Sequence, residues 1–254
     1  MSILILKNLF NKTEKVNLPA LLYADVPAKE RLKRLLNFVE NFGFDNRNFD
    51  NKCLLPVFSF IRMLSDRLYS ERIIEVISKD SIRNESGYKS NADFNLKYLI
   101  TDFHKNDSGL CKKISGQALI ELAYHPVICN VWDGHKLLNT FNDYATINKP
   151  WEFSKGSHIA ELYLPFGLTV VNTGNHSVSA GVLKREGTLQ ITDGKIYDLS
   201  PMYDKYRFDG INYLDNTDKI AFKANSFEFG VIYETGRIIR RKGIKFLNID
   251  YYNL

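Results

Sequence analysis

Between Leu168 and Gly187 the chain gathers residue types suited to holding an anion. Leu168-Thr169-Val170-Val171 is apolar and β-branched, which predicts a buried strand. Asn172-Thr173-Gly174-Asn175 follows. Gly and Asn take left-handed dihedrals at little steric cost, so this stretch predicts a tight turn. His176 or Ser177 then opens a helix of small residues, Ser179, Ala180 and Gly181, able to lie close to a sheet. The helix stops at Gly187, and Thr188-Leu189-Gln190-Ile191 resumes a strand. A strand, a Gly turn and a helix start aim backbone N–H groups at one point, which favours phosphate. Thr173, Gly174, Asn175 and Ser177 are the candidate phosphate-binding residues. His176 would donate to a phosphoryl oxygen or carry a proton. The same pattern also fits a structural turn in which His176 caps or packs.

Glu161, in Ser157-His158-Ile159-Ala160-Glu161, leads into that strand. Its carboxylate is a candidate Mg2+ ligand and base, or a solvated strand-edge side chain. His125, His135, His158 and His176 all fall in the second half, but none has HxxxH or HxH spacing, so a transition-metal site is not expected. Tyr197 to Gly210 is dense in Tyr, Asp and basic residues and predicts either a lid over a base or a loop anchored by aromatics. Arg237-Ile238-Ile239-Arg240-Arg241-Lys242-Gly243-Ile244-Lys245 carries five positive charges and predicts an amphipathic edge strand. Arg240 and Arg241 are its candidate nucleic-acid contacts, with a solvated edge as the alternative.

The elements upstream are helical. Leu32, Leu35, Leu36, Val39 and Phe42 recur at steps of three and four, with Asp25 as N-cap, Pro27 in the first turn and Gly43 as C-cap. Lys29, Arg31, Lys33 and Arg34 decorate this helix as a solvated or nucleic-acid-facing stripe. A second helix starts near Pro56 with Val57, Ile61, Leu64 and Leu68 on one face, extended by Ile73, Ile74 and Ile77. Asn84-Glu85-Ser86-Gly87 breaks it, and Ser90-Asn91 caps a third helix to about Phe103. The polar run 104–109 predicts a boundary: a helical subdomain over 1–110 and an α/β core with a strand and loop extension over 111–254. Within that core, Val127 to Trp132 reads as a strand and His135 to Tyr144 as a short helix.

The composition, 44% hydrophobic and 25% charged, excludes a disordered chain, a collagen and a disulfide scaffold. The net charge of +5 is mild and compatible with a phosphate-bearing ligand. Three scattered cysteines, Cys53, Cys111 and Cys129, predict reduced thiols. No apolar run is long enough to span a bilayer, and Met1 to Lys7 lacks the form of a signal peptide. The expected setting is cytoplasmic, with delivery into a host cell open and no membrane partner. Lys-, Asn- and Ile-rich usage is compatible with an AT-rich bacterial or mobile-element gene.

Thr169 to Ala180 resembles the box of the ParB/sulfiredoxin superfamily, in which a strand runs into Gly-x-His-Arg-x-x-Ala. His125-Pro126 and the helix around Leu137, Leu138 and Phe141 are similar to the opening of that family, so the resemblance spans roughly 114 to 195. It implies a small α/β fold that binds nucleotide phosphates at the box. Its relatives include CTP-binding partition proteins, nucleases, phosphotransferases and sulfinic acid reductases. Gly174 matches the turn, Asn175 the variable position, His176 the family His, and Ala180 the small residue under the helix. Ser177 stands where the family has Arg, leaving Lys184 and Arg185 as possible substitutes. Asn175 stands where the reductases have Cys, which argues against their activity. The expected fold is α+β, helices packed on a ParB/sulfiredoxin-like core. The expected function is a nucleotide-dependent phosphohydrolase or phosphotransferase, with NTP or NDP as ligand and Mg2+. A nuclease or DNA- or RNA-binding protein of the same fold is the alternative, and a non-catalytic protein-interaction module is a third.

Overall fold

In the computed structural model, residues 26–44, 55–86, 110–145 and 150–247 are described. Helix α1 (Ala28–Phe42) buries Leu32 and Val39, while Phe42 at its end stays exposed. Gly43 closes it in a right-handed conformation, its N–H bonded to Val39 O. Asp25 lies outside the described residues. The basic stripe is not left free: Lys29 pairs with Asp209, Arg34 with Glu30, and Arg31 lies over the Phe227 ring.

Helix α2 (Pro56–Ser86) buries Val57, Ile61, Leu64 and Leu68 as their spacing requires. Four such side chains contribute roughly 6–12 kcal/mol of gross transfer free energy. Beyond Leu68 the stripe moves: Val76 is buried, while Ile74 and Ile77 are exposed. Arg62–Asp66 and Arg67–Glu71 form i,i+4 ion pairs; Arg67 lies on the outer face, whereas Arg62 is largely buried and donates to Leu122 O and His125 O. The predicted helix to Phe103, the boundary at 104–109 and Cys53 lie outside the described residues.

The rest is mixed α and β. In chain order come β1 (Lys112–Ile114), β2 (Ala118–Glu121), β3 (Val127–Cys129), α3 (Gly134–Ala145), β4 (Ile159–Leu164), β5 (Leu168–Thr173), α4 (Asn175–Lys184), β6 (Thr188–Ile191) and β7 (Ile196–Asp198). A 3-10 turn (Ser200–Asp204), β8 (Arg207–Phe208), β9 (Asn212–Leu214), β10 (Ile220–Lys223) and α5 (Phe227–Arg241) follow. The main sheet has strand order β1-β7-β4-β5-β3. β3 and β5 run parallel, with Cys129 opposite Val171, and each is followed by a helix. β2 pairs with β6, and β8 to β10 form a small antiparallel sheet. One hydrophobic core runs without a break from Leu32 to Phe246, so α1 and α2 share it with the sheet.

The C-terminal basic run is a correction. Its first five residues end helix α5 and Lys242 to Lys245 follow the helix, so it is not an edge strand. The helix starts upstream, where the Ser226 hydroxyl caps the Phe229 N–H, and its buried face runs from Phe229 through Ile232, Tyr233 and Gly236 to Ile239. A window opening at Arg237 sees only its β-branched end. The cations are held: Arg240 forms two hydrogen bonds to Asp204, and Arg241 and Lys242 pair with Glu40 of α1. The Tyr197–Gly210 stretch is anchored by its aromatics. Tyr203 and Tyr206 are buried, and Arg237 donates to their carbonyls. Among the described residues no helix is long and apolar enough to cross a membrane.

Candidate functional site

Parallel neighbours β3 and β5 end side by side, and a crevice at such strand ends is where α/β sheets take ligands. Here it is a cleft of about 560 Å³. One wall is the turn from β5 into α4: Thr173, Gly174, Asn175, His176 and Ser177. The other is Trp132 and one side of α3, with Lys136 near its start and Asp143 near its end. Thus the structure brings together the five predicted turn residues, and it adds a wall that sequence reasoning missed.

Gly174 sits at φ 81°, the left-handed conformation expected of it, and begins α4 without a side-chain cap. Val178 N–H returns to Gly174 O, as the first helical bond should. The amides of Asn175, His176 and Ser177 have no acceptor among the described residues. They are the donors that a helix N-terminus leaves open, and the helix dipole adds positive potential there.

Three side chains of the turn have definite partners. Asn175 Oδ1 accepts from Asn130 N–H at 2.7 Å, tying α4 to the end of β3. His176 Nε2 lies 3.1 Å from Asp133 O, and a carbonyl only accepts, so Nε2 carries the proton. Nδ1 is then the ring's acceptor. Burial holds the His176 pKa below its ordinary value against the opposing pull of Asp133 O, which keeps the ring neutral near pH 7.

Ser177 joins a second imidazole. His158 Nε2 is 3.1 Å from Ser177 Oγ, and Tyr144 OH is 3.2 Å from the same oxygen. Yet His158 Nδ1 accepts Ser154 N–H at 3.0 Å, so Nε2 must be the protonated nitrogen and donates to the serine. This His158 cannot take a proton from Ser177, and the pair is not an activated nucleophile. It is a brace. The His158 ring stacks on Trp151 at 5.0 Å, and Trp151 Nε1 donates to Ser177 O at 2.7 Å. Together they fix the first turn of α4.

Other predicted site residues lie elsewhere. Glu161 is opposite Val170 in the sheet, and four residues of strand, about 13 Å, separate Val170 from Gly174. Its carboxylate accepts from Tyr163 OH at 2.8 Å and Lys195 Nζ at 3.3 Å. Burial pushes its pKa up, but the hydrogen bonds from Tyr163, Asn172 and Lys195 outweigh this and hold the carboxyl below its ordinary value. A carboxylate so engaged does not fit as a Mg2+ ligand for the cleft. Among the described residues no group of three or more His, Cys, Asp or Glu could hold a metal. Lys184 lies seven residues past Ser177, about 10 Å along the helix. It bonds Tyr144 O and Glu186, and Arg185 caps the same far end, so neither replaces the missing Arg at the turn. Cys111 and Cys129 are free thiols; burial pushes Cys111 up to about 12.

A single family match spans residues 20–246, well over half of the chain. The chain belongs to the "Family of unknown function (DUF6710)". No curated protein and no solved structure matches it. In this DUF6710 chain the missed wall had a local signal: Asp133 caps α3 through Lys136 N–H at 2.9 Å, placing Lys136 one turn from Trp132. Lys136 Nζ lies 4.1 Å over the Trp132 ring, and the His176 ring meets the same indole at 5.2 Å and 78°.

Proposed function

We propose that this protein binds a nucleotide in the β3–β5 cleft, with phosphate on the first turn of α4, and acts on it as a phosphohydrolase or phosphotransferase. The observation that carries the reading is the set of open amides at Asn175, His176 and Ser177, facing a cleft of about 560 Å³ and braced from behind by His158 and Trp151. Phosphate oxygens accept hydrogen bonds, and these donors are fixed before any ligand arrives. His176 then has a more specific role than donation. Its Nε2–H is committed to Asp133 O, so the neutral ring offers Nδ1 as an acceptor for a proton from water or a hydroxyl. The same reading places the core in the ParB/sulfiredoxin-like superfamily. It is supported by the succession β3, α3, β4, β5, Gly turn and α4.

The test is a melting series of the full chain with nucleoside mono-, di- and triphosphates and inorganic phosphate, with and without Mg2+. A ligand at a hundred times its Kd adds about 2.7 kcal/mol of stability. For a chain of this size that is roughly 5–10 °C in Tm. His176→Gln, which keeps a donor for Asp133 O, should retain binding and lose phosphate release from a turned-over nucleotide. A flat melting temperature across every phosphate-bearing compound would refute the proposal.

A further inference from the structure

The side chains around the cleft carry little net charge. Lys136 is its one cation and Asp143 its one carboxylate among the described lining residues. A triphosphate would bring several negative charges to a single lysine. A single phosphate group matches one lysine and one helix start. Beside that helix start the wall is aromatic. Trp132 is 49% exposed at the cleft wall. One face of its indole is covered by Lys136 Nζ, while His176, at the phosphate corner, is 5.2 Å from it, centroid to centroid. A cation over an exposed ring is held weakly, and the lysine stem is flexible enough to leave.

We infer that the ligand is a nucleoside monophosphate whose base stacks on the Trp132 face now covered by Lys136, while Lys136 swings to the phosphate. The inference rests on the reading of the cleft as a phosphate seat, and it narrows the ligand from the di- and triphosphates implied by the family resemblance. In the free protein Lys136 keeps the indole face occupied. Binding trades that contact for two better ones: an aromatic base on the ring, and an ammonium on a phosphate. Trp132 therefore sets the preference for a nucleotide over bare phosphate, and Lys136 sets the affinity for phosphate in any form.

Calorimetric titration of the full chain tests this. The probes are the four ribonucleoside 5′-monophosphates, ATP, inorganic phosphate and a short single-stranded DNA without terminal phosphate. One monophosphate should bind more tightly than ATP and the oligonucleotide, and at least tenfold more tightly than inorganic phosphate. Trp132→Leu should bring that monophosphate down to the level of inorganic phosphate, which should itself bind at least as tightly as in the wild type because Lys136 no longer has to leave the ring. Lys136→Met should weaken both at least tenfold, and the circular dichroism of both variants should match the wild type. ATP or the oligonucleotide binding as tightly as the best monophosphate overturns the inference, as does wild-type monophosphate affinity in Trp132→Leu. In either case inorganic phosphate binding leaves the phosphate seat standing. If neither inorganic phosphate nor any nucleotide binds, the seat itself is wrong.

Discussion

Replacing Gly174 with Ala separates backbone strain from steric collision at the turn. The residue holds φ 81°, and a Cβ there would lie 2.5 Å from His158 Cδ2 and 2.6 Å from Ser157 O. The left-handed conformation alone costs a non-glycine about 1–2 kcal/mol. The His158 ring must move, and the Ser157 carbonyl, which is backbone, must shift with it. Moving the ring forfeits the stack on Trp151, about 0.5–1.5 kcal/mol. It also breaks the bond to Ser177, about 0.5–1.5 kcal/mol more. These three contributions sum to about 2–5 kcal/mol, and the displaced carbonyl adds to that loss. Gly194 is the matched control: φ 75° with nothing within 4 Å of its Cβ position, so Gly194→Ala meets the strain without the collision. Urea unfolding followed by tryptophan fluorescence should put Gly174→Ala about 1–3 kcal/mol below Gly194→Ala. Equal stability of the two variants would show that His158 does not brace the turn.

Two further outcomes follow from the histidines. His125 is 5% exposed, and its Nδ1 accepts Glu121 N–H at 2.7 Å. Burial, with a smaller push from Arg62, lowers its pKa from 6.5 to about 4. Below pH 6.5 the unfolded chain takes a proton that the native state refuses. Stability should be complete above 6.5 and fall as pH drops toward 4, by roughly 3 kcal/mol from this residue. His125→Asn, which keeps an acceptor for Glu121, should flatten that part of the stability profile in denaturant titrations at stepped pH; an unchanged slope would count against the assignment. Ser177→Ala should cost about 1 kcal/mol through the lost brace. Ser177 in the wild type should resist fluorophosphonate labelling by mass spectrometry, and stoichiometric labelling would contradict the tautomer deduced for His158.

The turn was legible because its chemistry is local. Gly174 between Thr173 and Asn175 demands a left-handed residue, and the small residues Ser179 to Gly181 demand a close sheet. The facing wall was not legible as part of the site. Trp132 and Lys136 reach it through parallel pairing of β3 with β5, a contact across some forty residues that no periodicity records. Glu161 looked well placed in sequence because only a short loop separates its strand from β5. The antiparallel register then carries it toward Val170 and away from Gly174. Helix α5 was misread for a different reason: Ile238 and Ile239 between arginines mimic an alternating strand, while its helical signature, the Ser226 cap and the Phe229–Tyr233 face, lies before them.

The packing of α1 and α2 against α5 has a consequence for synthesis. The apolar faces of the first two helices are complete once Ser86 has been made; β3 and α3 cover part of α2, but α5, which covers the rest, ends at Arg241, 155 residues later (241 − 86). At about 5–20 residues per second the ribosome needs roughly 8–30 s to supply it. Throughout that interval the part of these faces that α5 covers is presented to chaperones and proteases, and a message truncated before the last helix would yield a polypeptide with its hydrophobic seam unclosed.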